Sequence, residues 1–111
     1  MEEERYTEMP ELVIGGRRIH PAPPKMKVWR EFMAFFDQDK GEMSVEDFLD
    51  AHVNLIVLAF HRPEVTKSSV EDALEIAEVI PLTREIFRWL QAQIFSRLVK
   101  LPNGEAGAGE A

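Results

Sequence analysis

The stretch FFDQDKGEMSVEDFLD, Phe35 to Asp50, sets acidic residues around a glycine between two apolar patterns. Those residue types could ligate calcium. An EF-hand loop supplies oxygens from positions 1, 3 and 5, a glycine at 6 and a bidentate acid at 12. Anchoring the frame on Gly41 places Ser44 at position 9 and Asp47 at 12, but it also puts Phe36, Gln38 and Lys40 at 1, 3 and 5. Anchoring on Asp37 places Asp39 at 3, brings the glycine one residue early and leaves Phe48 at 12. Both frames are one residue short, and a lysine stands where the cation needs an anion. The stretch therefore predicts a turn over Asp37–Met43 and a helix capped by Ser44, not a metal site.

Other chemistry-bearing residues are scattered. His20, His52 and His61 show neither an HExxH pattern nor a pair at ligand spacing. His52 reads as a hydrogen-bonded interior histidine, and His61 as a residue suited to a helix C-terminus. Ser44, Ser68 and Ser69 read as helix caps, with Ser68 or Ser69 starting the third helix. Ile14-Gly-Gly-Arg-Arg18 lacks the GxxxxGK[ST] spacing of a phosphate loop. The chain has no cysteine, which removes disulfides, thiolate ligands and a thiol nucleophile. The acids fall on solvent faces, so no acid–base pair can be named. No catalytic residue, cofactor site or metal site is expected, and a binding or assembly protein is favoured over an enzyme. Arg17, Arg18, Lys25, Lys27 and Arg30 form a local basic cluster near Trp29 and Tyr6, the ingredients of a nucleic-acid footprint. A net charge of −7 and a pI near 4.9 weigh against nucleic acid and anionic membranes.

The elements that position these residues read as mainly α: a compact four-helix domain with a short N-terminal β-hairpin and a flexible C-terminal tail. The length of 111 residues suits one domain, and 45% hydrophobic with 30% charged residues is a globular balance. Residues 1–10 read as a flexible acidic arm, 11–101 as the domain and 102–111 as a disordered Gly/Ala/Glu tail. The N-terminus is unlike a signal peptide, and the apolar run Leu55–Phe60 is too short to span a bilayer. Gly15-Gly16 between two β-branched runs predicts a hairpin over about 12–20, ended by Pro21, Pro23 and Pro24. Helix one is expected from Lys25 to Asp37, on the stripe Met26, Trp29, Phe32, Met33, Phe36. Helix two, Val45 to His61, is apolar nearly all round and is expected at the centre. Helix three is expected from Ser69 to Val79. Val70, Ala73, Leu74 and Ala77 form its apolar face, and Glu71, Asp72, Glu75 and Glu78 its acidic one. Helix four is expected from Leu82, after Pro81, to Lys100, on the stripe Leu82, Ile86, Leu90, Ile94, Leu98. Trp89, Phe95 and Val99 are placed off that stripe, where they are either buried by the hairpin or exposed as partner anchors; as anchors they are the candidates, with Trp29 as a further one. Arg84 and Arg88 add a basic patch that complements the acidic face of helix three, a pairing that could join copies head-to-tail.

One ordered set of features resembles a known family. A short ELVIGGRRI segment leads into HPAPPKM and an aromatic-rich helix. A central helix follows, and then LAFHRPEVTKSSVEDALEIAEV. Arg62-Pro63-Glu64-Val65-Thr66 followed by Val70-Glu71-Asp72, with the Gly-Gly opening, resembles the tail assembly chaperones of long-tailed bacteriophages and prophages. The Arg62-Pro63 spacing is tighter than the family pattern. The resemblance implies a small, mostly helical, non-catalytic protein of the host bacterium's cytoplasm, absent from the mature virion. Its partners would be the tape measure protein and the tail tube protein, and it would self-associate. It also implies a longer form made by ribosomal frameshifting near the end of the short one. The competing expectation is a small helical regulatory or adaptor protein that binds a host protein or nucleic acid through basic helix 25–37.

Overall fold

The computed structural model describes residues 9–100, with side chains as far as Ser96. Gly15 and Gly16 take φ of +58° and +79°, the pair of positive values a two-residue primed turn requires. The turn joins strand β1 (Leu12–Ile14) to β2 (Arg17–Ile19) in an antiparallel hairpin whose register sets Leu12 opposite Ile19. Both of these residues are buried, while Val13 and its partner Arg18 face outward. Two strands of this length are not stable alone, and the buried Leu12–Ile19 face ties them to the helices.

Helix α1 (Met26–Asp37) starts after Pro23-Pro24 and buries Val28, Phe32 and Phe35. Helix α2 (Val45–Phe60) opens on Ser44, whose hydroxyl accepts the Asp47 backbone N–H at 3.0 Å, a cap worth about 1 kcal/mol. It ends at His61 in the left-handed conformation, φ +49°, and Pro63 follows. Helix α2 packs against α1, α3 and α4, which makes it the central helix the sequence predicts. Its core residues Ile56 and Phe60 are fully buried. His52 is buried too, and its Nδ1–H donates to the Phe48 carbonyl at 2.8 Å, so its polar edge has a partner inside the apolar interior.

The C-terminal half departs from the sequence expectation. Helix α3 (Lys67–Ala73) is short, and Leu74 leaves it in extended conformation. Its N-cap is Thr66 rather than Ser68 or Ser69. Thr66 Oγ1 accepts the Ser69 N–H, and Ser69 Oγ accepts the Thr66 N–H, a reciprocal capping box. Helix α4 (Ile76–Lys100) begins before Pro81 and carries it inside. Pro81 lies near the N-terminal end, where it forfeits one bond to the Ala77 carbonyl and leaves the turns beyond it intact. Glu75 and Glu78 therefore do not share a helix with Glu71 and Asp72. Glu78 Oε1 instead accepts the Glu75 N–H at 2.8 Å, as a cap of α4. Ala73, expected on an apolar face, is exposed.

At the N-terminal edge, Pro10 is fully buried, so packing begins one residue before the expected start of the domain at residue 11. The arm over residues 1–8 and the tail over 101–111 lie outside the described residues. Among the described residues the fold is mainly helical, with four helices and one two-stranded hairpin. No helix among them is long and apolar enough to cross a membrane.

Candidate functional site

The loop between α1 and α2 contains its own cation. Lys40 Nζ donates to the Gln38 carbonyl at 2.8 Å and to the Phe36 carbonyl at 3.4 Å, and it lies 4.8 Å from the centre of the Phe35 ring. These carbonyls close the C-terminal end of α1, where a positive charge is favourable. Asp39 turns inward on its own loop and accepts the Gly41 N–H at 3.0 Å. The residues that suggested calcium thus cap a helix and close a turn.

The segment that carried the family resemblance is a structural joint. Arg62 Nε donates to the His20 carbonyl at 3.0 Å, and its guanidinium reaches the Pro21 carbonyl at 3.4 Å. The Ala22 N–H donates to the Phe60 carbonyl at 2.9 Å beside them. Together these bonds hold the strand that leaves the hairpin against the end of α2. Glu64 lies 3.6 Å from Arg17 of β2, and its backbone carbonyl accepts Ser69 Oγ at 2.8 Å. Val65 is buried, and Thr66 caps α3. Each residue of Arg62–Thr66 except Pro63 contributes a bond or a buried side chain, and Pro63 stops α2 from continuing.

That joint sets α3 across α2 and leaves a groove between α2, α3 and the first turns of α4. Its volume is about 260 Å³. Leu49 and Val53 of α2, Val70 of α3, Leu74 and Val79 supply an apolar lining. Glu46, Asp50 and Glu71 stand along its edge, and Ile76 at its mouth is 84% exposed. Lys67 pairs with Asp50 on this edge. The bond to Asp50 and the Asp50 charge hold the ammonium above the ordinary lysine range, and Glu71 and Glu46 add to the effect. The rim is thus a place where a cation is stabilised by several carboxylates together.

A different surface lies along α1 and α4. Trp29 stacks on Phe87 with ring centroids 5.7 Å apart, and Phe87 also stacks on Phe32 at 6.1 Å and Phe36 at 4.7 Å. Trp29 is therefore half-buried in an aromatic stack that bridges the two helices. Trp89 is a core residue at 5% exposure and not an exposed anchor. The reason is helical geometry: seven residues beyond Leu82 bring the chain back to within about 20° of it, so Trp89 belongs to the buried stripe. Phe95 stays outside the core at 57% exposure, and Arg84 and Arg88 are exposed. At about 100° per residue, Arg84, Arg88 and Phe95 fall within about 40° of one another on the outer face of α4. The structure therefore gathers three of the proposed partner residues on one strip and places Trp29 and Trp89 in packing roles. Val99's side chain lies outside the described residues.

Sequence reading missed the groove. Its lining residues come from three helices, and two of them, Leu74 and Val79, lie on either side of a break that the sequence pattern ran through as one helix. No family model matches the chain, and neither a curated protein nor a solved structure matches it.

Proposed function

We propose that this chain is a tail assembly chaperone of the long-tailed phage type: a non-catalytic protein that binds the tape measure protein and helps recruit tail tube subunits. The observation that carries the reading is the segment Arg62–Asp72. It resembles the family pattern, and in this fold it both anchors the hairpin and builds one wall of the acid-edged groove. A chaperone for a long helical client needs apolar contact surface with charge around it. The groove and the Arg84–Arg88–Phe95 strip are two such surfaces of opposite charge, and they suit a protein that holds a client and also self-associates. On this reading the protein works in the cytoplasm of the host bacterium and is left out of the finished virion.

Co-expression with the tape measure protein of the same genome tests the proposal. The expected result is a client that becomes soluble and elutes with this protein as a large complex. An insoluble client, with this protein eluting alone in both its short form and a frameshift-extended form, overturns it. Peptide mapping of purified virions should find no trace of the chain. A second reading, an adaptor working through α1, rests on the exposure of Lys27 and Arg30 along that helix and of Lys25 at its N-cap. It predicts a salt-dependent mobility shift with DNA or RNA.

A further inference from the structure

We propose that the groove between α2, α3 and the start of α4 docks a basic amphipathic segment of a partner protein, taking two large apolar side chains inside and lysines or arginines on its acidic edge. The volume sets the apolar part. A cavity of about 150 Å³ encloses benzene, so about 260 Å³ falls short of two rings but holds two aliphatic side chains, such as those at positions i and i+4 of a helix. Leu49, Val53, Val70, Leu74 and Val79 give them a lining without charge. Ile76 at the mouth extends that apolar contact outward, since its side chain is almost wholly exposed in the free chain.

The edge sets the charge. Glu46, Asp50 and Glu71 are three carboxylates around one lysine, Lys67, which already lies on Asp50. A second or third cation arriving with a partner meets the remaining negative potential. The segments 1–8 and 101–111 do not supply one. Residues 1–8 carry Glu2, Glu3, Glu4 and Glu8 against Arg5, and residues 101–111 carry Glu105 and Glu110 with no basic residue. Complementarity therefore points to a foreign segment that is both apolar and basic. This inference rests on the groove alone and stands or falls separately from the tail-assembly reading.

The test uses the full chain and two fluorescein-labelled amphipathic peptides. One carries leucines at i, i+4 and i+7 flanked by lysines. The other has glutamate in place of every lysine. Fluorescence anisotropy should show the lysine peptide binding, with affinity falling as salt rises, and the glutamate peptide failing to bind. Glu46→Lys combined with Glu71→Lys should weaken the lysine peptide by about tenfold or more, and Ile76→Ser, which removes apolar contact without adding charge, several-fold. All three positions are exposed, so far-UV circular dichroism should be unchanged. Equal binding of the two peptides, no binding of either, or indifference to the double charge reversal overturns the proposal. Sedimentation velocity covers the remaining occupant. If the unliganded wild type self-associates and Ile76→Ser abolishes this, the groove belongs to a second copy of the chain and the proposal fails.

Discussion

The two flanks of helix α2 are finished in opposite ways. On the α1 side, Trp29, Phe32, Phe36 and Phe87 stack in a continuous series, and Phe35 meets His52 edge-on at 4.9 Å. Flat rings fill the space between helices because each buries a large area and tolerates offset stacking. On the α3 side the residues are aliphatic, the helix is short, and the chain turns away at Leu74. There the same central helix is left with an open apolar groove edged by acids. The contrast separates a flank built for stability from a flank with contact surface to spare. The aromatic stack commits most of its area to ring-to-ring contact, with Trp29, Phe36 and Phe87 half-buried, whereas the larger acid-edged groove loses more water-exposed apolar surface when it is covered.

Substitutions can break this contrast, and the largest effect should lie in the aromatic flank. Phe32→Ala removes a fully buried ring and should cost about 3–5 kcal/mol in urea unfolding. Trp89→Ala should cost a similar amount, about 3–5 kcal/mol, because its indole is core. A Trp89→Ala protein of unchanged stability with weakened self-association would return that residue to the interface. Arg62→Ala should cost about 1 kcal/mol, since it cuts two charged hydrogen bonds that are partly open to water. Its amide exchange should rise first in the hairpin, at residues 12–19, before the helical core is affected. Phe95→Ala should change stability by less than about 0.5 kcal/mol, because its ring is mostly exposed. Under the proposed chaperone function, any loss of tape measure binding in that variant would then report contact and not unfolding. Lys67→Gln should leave the thermal midpoint at neutral pH unmoved while tightening the lysine peptide, because it takes a competing cation off the groove's edge. Weaker peptide binding in that variant would show that Lys67 itself is part of the contact.

Local signals were legible wherever one residue type dictates one backbone state. Gly15-Gly16 specified the hairpin turn, and Ser44 specified the start of α2. The apolar circumference of α2 announced its central position. Trp89 was misplaced for a simpler reason. The four-residue steps of the expected stripe drift by about 40° each, whereas a seven-residue step drifts by about 20° and returns Trp89 to the core face. Pro81 suggests a helix boundary that the fold does not honour, because a proline near a helix's N-terminal end costs one bond and not the helix.

The sequence by itself determined the helical class, the hairpin, the capped start of α2 and the outward position of Phe95 with Arg84 and Arg88. Each follows from backbone preference or from periodicity within one element. Only the tertiary structure decided where α3 ends, what Arg62 holds and that a groove exists. Arg62 reaches carbonyls more than forty residues away in the chain. The groove's walls come from three helices whose mutual placement depends on packing, which no single segment encodes.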